Sequence, residues 1–237
     1  MILLASKSSG RLATLRTAGV EPRVRVSSVD EEAVLHELTQ RRRTAGLAAP
    51  SAAEQVQALA RAKALDVAAH TDPQETEVVV GCDSMLEIDG RVVGKPADAA
   101  DARERWRTMS GGTGTLHTGH FLVRTADGAI AEGVSSATIR FGSPSPAEVE
   151  AYIASGEPLW CAGAFTIDGL GGAFIEGIDG DPHGVVGISL PLLRRLLADL
   201  GVRWTDLWTV TQGVRTATRP MQQRPRRRTP GPGPRPS

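Results

Sequence analysis

Three groups of residues in this chain have types and spacings that chemistry can use. The first centres on Lys63. It lies in a stretch where Val56, Leu59, Ala60 and Val67 recur at helical spacing, and it falls on that same apolar stripe. An ammonium there is costly unless it meets an anion or snorkels to water at the rim of the core. The second is GCDSMLEIDGRVVGKP, residues 81–96. Asp89-Gly90 between two apolar runs signals a hairpin, because both turn positions must tolerate positive φ. A two-residue turn sets position 88 opposite 91 and Ser84 opposite Lys95, so Asp83 and Lys95 become diagonal neighbours at the open end, with Gly81 and Gly94 allowing the chain to bend. Such a pair is either a surface ion pair, contributing at most about 1 kcal/mol, or a general base beside a phosphate contact. The buried-type run Val78-Val79-Val80 leading into Asp83 favours the second, since polar residues beyond the ends of buried strands line sites. The third is VDEE, residues 29–32. Asp30, Glu31 and Glu32 supply either helix N-terminal charge or the oxygen ligands that Mg²⁺ takes.

A fourth stretch, LASKSSGR at residues 4–11, sits where a strand turns into a helix. Ser8 or Ser9 can cap that helix, Arg11 falls in its first turn, and the free N–H groups of a helix start suit an anion. Two other signals carry less. His117 and His120 lie in a strand, where a spacing of three puts the rings on opposite faces. GLGGAF lacks the third glycine and the strand–helix context of a dinucleotide site. The sequence has no GxxxxGK[ST], CxxC or HExxH pattern.

The elements that must position these residues read as alternating strands and helices. Strands are expected at Met1–Ala5, Val24–Val29 and Val78–Gly81, then in the hairpin across Asp89-Gly90 and in two strands joined at Asp127-Gly128. Helices are expected after Ser8 up to Gly19, over about Ala53–Ala69 and Ala99–Met109, after the capping box at Ser145 up to Gly156, and through Leu193, Leu196, Leu197 and Leu200. Residues 41–53 read as a loop or frayed insertion, and Ala162–Gly187 as a glycine-rich region with short strands. Hairpins together with crossover helices predict an α/β fold with a mixed sheet.

Bulk properties narrow the classes. The 237 residues suffice for one well-buried domain with a tail. No apolar run is long enough to span a membrane, and the N-terminus does not read as a signal peptide. Two distant cysteines, Cys82 and Cys161, fit a disulfide-free cytoplasmic protein. The net charge of zero hides six arginines and no acid from Arg219 to the end, so the body carries about −6. An acidic body that handles phosphates needs cations focused in a cleft or a bound divalent metal. The tail from residue 216 is proline-rich and cannot build a core, so it reads as disordered.

Taken together, LASKSSGR, VDEE, ARAKA, GCDS, GKP, SGEPLWCAGAFTIDG and IDGDPHGVVGISLPLL resemble, in order and spacing, the blocks of Maf-type nucleoside triphosphate pyrophosphatases. The resemblance covers Met1 to about Leu200. It implies an elongated mixed β-sheet flanked by helices, with two lobes around a deep cleft as in the inosine triphosphate pyrophosphatases. It implies hydrolysis of a nucleoside triphosphate to the monophosphate and pyrophosphate, a divalent metal (Mg or Mn), and a homodimer; with the tail set apart from residue 216, the domain is expected over residues 1–215. Nucleic acid and membrane are not expected as partners. Residue by residue, it implies Asp83 as general base, Ser6, Arg11, Lys63 and Lys95 on phosphate and substrate, and Glu31 at the metal. Ser6 enters through the resemblance alone. Three positions depart from the family. Gly10 stands where an arginine is common, Ser84 where one branch has threonine, and Asp168 where that branch has glutamine. Ser84 and Asp168 therefore bear on base selection, because an ionised aspartate only accepts hydrogen bonds. Two other classes stay open: a nucleotide-binding regulator of cell division without turnover, and an RNA-associated protein using the arginine tail.

Overall fold

The structure, a computed structural model, describes residues 1–209; the expected domain boundary at 215 and the arginine/proline tail lie outside the described residues. The chain runs β1 (Ile2–Leu4), α1 (Ser9–Thr17), β2 (Arg23–Val24), α2 (Glu31–Thr44), α3 (Ala52–Ala68), β3 (Val78–Ile88), β4 (Arg91–Val93), α4 (Ala99–Met109), β5 (Thr113–Arg124), β6 (Ile130–Phe141), α5 (Pro146–Ala154), β7 (Ile175–Asp179), α6 (Pro182–Val186) and α7 (Leu190–Asp199). Seven strands form one mixed sheet in the order β2-β1-β3-β5-β6-β7, with β4 paired to β3. β1 runs parallel to β2 and to β3, and the other pairs are antiparallel.

Local signals set most boundaries. Ser8 caps α1 by accepting from the Arg11 amide. Ser51 and Ser145 form complete capping boxes with Glu54 and Glu148, and Pro146 begins α5. The β3–β4 hairpin has the expected register, with Ile88 opposite Arg91, and both Asp89 and Gly90 have positive φ.

Three expectations change. The strand foreseen at Val24–Val29 is only Arg23–Val24, because its neighbour β1 leaves the sheet after Leu4; Val24 and Val26 remain exposed. The first part of the 41–53 segment is helical. α2 extends to Thr44, and Arg42 pairs with Glu54 at the start of α3. Between Ala162 and Gly187 there is a single strand, β7, flanked by 3₁₀ turns and the short α6.

Buried side chains form three clusters. One lies between the sheet and α7 and includes Leu4, Val80, Cys82, Leu193 and Leu197. A second lies on the opposite face under α3, with Ala60, Ala64, Val67, Val79 and Phe121. The third fills the far end around Trp106, whose ring meets Phe141, Tyr152 and Phe174 edge-on and whose Nε1 donates to the Ala164 carbonyl at 2.9 Å.

The α3 packing is unusually close. A Cβ at Gly81 of β3 would lie 2.8 Å from Ala64 N and nearer still to the Ala60 carbonyl; one at Gly119 of β5 would lie 2.5 Å from the Val56 carbonyl. Glycine at both positions lets the helix backbone rest directly on the strands. This contact brings Lys63, between Ala60 and Ala64, down onto the sheet.

Candidate active site

The site grows from a break in the sheet. β1 and β4 pair with the same edge of β3, β1 as far as Val80 and β4 from Leu86 onward, while β5 covers the whole of the other edge. Between Val80 and Leu86, β3 is thus paired along one edge only. The Val80 carbonyl accepts from Ala5 N at 2.8 Å on the open edge. Strand alternation points the backbone polar groups of Cys82 and Ser84 the same way, into the opening. Asp83 and Ser84 sit in this stretch with side chains on opposite faces, so two polar clusters form, one on each side of β3.

On the α3 face, Lys63 Nζ donates to Asp83 Oδ1 at 2.5 Å and pairs with Glu31 Oε1 at 2.8 Å. Lys63 and Asp83 are nearly buried, whereas Glu31, at the start of α2, is 56% exposed in its side chain. Burial pushes the Asp83 carboxyl above the ordinary aspartate range. The charges of Lys63 and Arg11 oppose that shift without cancelling it. The lysine on an apolar stripe is therefore explained by paired carboxylates rather than by snorkelling.

On the other face, Arg11 is buried and every nitrogen of its guanidinium donates within the protein. Nε reaches the Gly187 carbonyl at 2.7 Å, Nη1 the Ser6 hydroxyl at 2.9 Å and Nη2 the Ser84 hydroxyl at 3.1 Å. Ser6 and Arg11 thus meet at the strand-to-helix turn, and Ser84 joins them.

Among the described residues Asp83 forms no ion pair with Lys95. The hairpin ladder ends at Leu86–Val93, and Gly94 leaves the sheet to accept from Gly163 N (2.9 Å) and Arg105 Nη1 (2.5 Å). The Lys95 carbonyl accepts from Arg105 Nη2 at 3.1 Å, and its side chain is exposed. The cation beside Asp83 comes from α3 instead. Asp168 lies near the first turn of α1, its Oδ2 3.7 Å from where a Cβ at Gly10 would stand; that Cβ would also lie 3.2 Å from Val186 Cγ1. The loop carrying Asp168 is tied by Glu157, whose carboxylate accepts from Tyr152 Oη (3.0 Å), Thr166 Oγ1 (2.5 Å), Leu170 N (3.0 Å) and Gly171 N (3.0 Å).

Sequence reasoning missed Thr118, His120 and Gly187, all in contact with the Arg11 cluster or with the chain that holds it. His117 and His120 do point to opposite faces: His120 is buried, while His117 meets Ser136 near the surface. The same alternation, applied to Thr118 and His120, places that pair on one face and would have drawn attention to them. Among the described residues no group of three or more His, Cys, Asp or Glu is placed to hold a metal, and no helix is long and apolar enough to cross a membrane.

The family profile described as Maf-like protein matches residues 1–200. A nucleoside triphosphate pyrophosphatase of Streptomyces coelicolor is 52% identical over 207 residues, covering 87% of this chain and 94% of the relative. Proteins of the same name from Mycobacterium sp. (strain JLS), 50% identical over 213 residues (88% and 98% covered), and Rhodococcus opacus, 51% identical over 215 residues (88% and 96%), are similar to the same extent. The profile match over residues 1–200 and relatives at about 50% identity over most of their length show that this chain belongs to the Maf-like protein family.

Proposed function

We propose that this protein is an enzyme that hydrolyses nucleoside triphosphates to the monophosphate and pyrophosphate, with Asp83 as general base. The observation that carries the reading is a buried aspartate, raised in pKa and held by Lys63, at the open edge of β3. The names of its relatives support the reaction. Asp83 takes a proton from a water whose oxygen attacks the α-phosphorus; the bond to the bridging oxygen breaks and pyrophosphate leaves. A carboxylate lifted toward neutral pH is a better base than an ordinary aspartate, and such a base contributes about 10²–10⁴-fold. Arg11, Lys63 and the start of α1 supply positive charge for the phosphoryl oxygens. Lys95 supplies a further cation from the loop after β4.

A divalent cation fits the donors present. Glu31 and Asp83 both reach Lys63 Nζ, Glu31 from the solvent side, and both offer hard oxygens of the kind that suit Mg²⁺ or Mn²⁺. Such ions are held by one or two carboxylates together with substrate phosphates, and when bound they neutralise charge on the triphosphate. Glu31 is the ligand we assign. We infer further that the opening in β3 is the floor of a cleft between two lobes, as in the inosine triphosphate pyrophosphatases, that Ser84 and Asp168 bear on base choice, and that the enzyme works as a homodimer.

The test is a panel of ATP, GTP, CTP, UTP, ITP and dTTP with Mg²⁺ or Mn²⁺, scored for pyrophosphate against orthophosphate. Pyrophosphate and monophosphate are expected. Release of orthophosphate, binding without turnover, or full activity in a folded Asp83→Asn enzyme would each refute the reading.

A further inference from the structure

We propose that Thr118 and His120 are positioning residues that fix the guanidinium of Arg11; this rests on the reading of Arg11 as a phosphate-binding group. Both are fully buried on the face of β5 opposite α3, two residues apart and hence side by side. Thr118 Oγ1 donates to the Gly184 carbonyl at 2.8 Å and meets Ser84 Oγ at 2.8 Å. A carbonyl can only accept, so the Thr118 proton is committed to Gly184 and Ser84 must donate to Thr118. Ser84 then offers a lone pair to Arg11 Nη2, and a guanidinium can only donate. The chain Arg11–Ser84–Thr118–Gly184 has one direction and no free choice of hydroxyl rotor.

His120 acts on the other end of the same segment. Its Nε2 accepts from Ser189 N at 2.9 Å, so the ring proton is on Nδ1, which donates to the Thr118 carbonyl at 3.0 Å. Burial lowers the His120 pKa to about 4, which keeps Nε2 an acceptor at neutral pH. Gly184 and Ser189 are the two anchored points of a short run, and between them Gly187 presents the carbonyl that takes Arg11 Nε. Two of the three nitrogens of Arg11 are therefore set from β5, one through Ser84 and one through the pinned 184–189 run. Ser6 alone holds the third. A hydroxyl and an imidazole that touch no substrate thus decide where the phosphate-binding cation stands.

The experiment is a double-mutant cycle on the full chain, using the nucleotide of the panel above that is turned over fastest. Thr118→Val keeps the shape and removes the hydroxyl. It is expected to lower kcat/KM about tenfold, as loss of a buried hydrogen bond to a charged network does. Thr118→Ser is expected to restore it, and Thr118→Val should have no further effect in an Arg11→Met background. For His120, the readout is the Arg11 Nε–H resonance in ¹⁵N NMR, whose exchange with water should quicken at least about tenfold in His120→Asn as the hold of Gly187 loosens. An Arg11→Met enzyme with undiminished kcat/KM would refute the reading of Arg11 itself. A strongly impaired Arg11→Met enzyme in which Thr118→Val is equally damaging in both backgrounds, or unchanged Nε–H exchange in a folded His120→Asn protein, would overturn the positioning proposal alone.

Discussion

Replacing Gly81 by alanine tests how Lys63 is placed. The new methyl would stand 2.8 Å from Ala64 N and 2.9 Å from Ala64 Cβ, and closer to the Ala60 carbonyl. Two of these three are helix backbone atoms, which no rotamer change can remove. Ordinary contact begins near 3.4 Å, so α3 must lift by at least about 0.6 Å, and by more at Ala60. Overpacking of this kind costs about 1–3 kcal/mol, or roughly 2–12 °C in Tm for a chain of this size. The lift acts on the helix turn that carries Lys63, whose ammonium is 2.5 Å from Asp83. Displacements approaching 1 Å at a catalytic group lower turnover about 10²-fold. Calorimetry and pyrophosphate release, measured on the same preparation, should therefore fall together. Gly94→Ala, where a Cβ meets nothing within 4 Å, should leave Tm unchanged. A Gly81→Ala protein with wild-type Tm would refute the backbone-on-backbone contact. A lowered Tm with full turnover per folded molecule would refute its role in setting Lys63.

Lys63→Met should move the acid limb of the pH–rate profile to higher pH. Burial already raises the Asp83 pKa and Lys63 opposes the rise, so without the cation the carboxylate protonates earlier as pH falls; an unmoved limb would separate that limb from Asp83. His120 titrates at about 4 when folded and near 6.5 when unfolded, so the unfolded chain binds the extra proton between those values. The neutral ring's contribution is complete above about pH 6.5 and is lost as pH falls toward 4, by up to about 3 kcal/mol. Urea titrations of wild type and His120→Asn should show this slope in the wild type only. Glu157→Gln removes a carboxylate that burial alone would push up in pKa but that hydrogen bonds from Thr166, Leu170, Gly171 and Tyr152 hold below its usual range. Urea unfolding should show a loss of about 1–3 kcal/mol, with nucleotide preference altered through the loop that carries Asp168.

What was legible in the sequence was what is decided locally. The capping box at Ser145, the Asp89-Gly90 turn and the helix Ala99–Met109 carry their own instructions within a few residues, and they hold in the structure. Lys63 was legible as an anomaly because a charge on an apolar stripe demands a partner. Which partner it takes was not legible. The hairpin register pointed Asp83 toward Lys95, but the loop after β4 is drawn off by Arg105 and Gly163, and those contacts come from α4 and from a 3₁₀ turn some 70 residues on. The length of β2 likewise depends on where its neighbour turns away. The glycines at 81 and 119 were read as bends or passed over, because a helix lying across two strands leaves no pattern in either strand alone.

The break in β3 also bears on how the protein comes to be active. The site joins Ser6 and Arg11 near the N-terminus, Asp83 in the middle and Gly187 near the end of the described chain, and the Arg11–Gly187 bond alone spans 176 positions. β1 reaches β3 only after a loop of more than seventy residues has closed. Non-local pairings of this kind form late and slowly. A partly folded chain therefore has helices and a hairpin but neither the open edge nor its two charged clusters. During synthesis or refolding, turnover should appear only with the last cooperative step, so that activity reports completion of the fold.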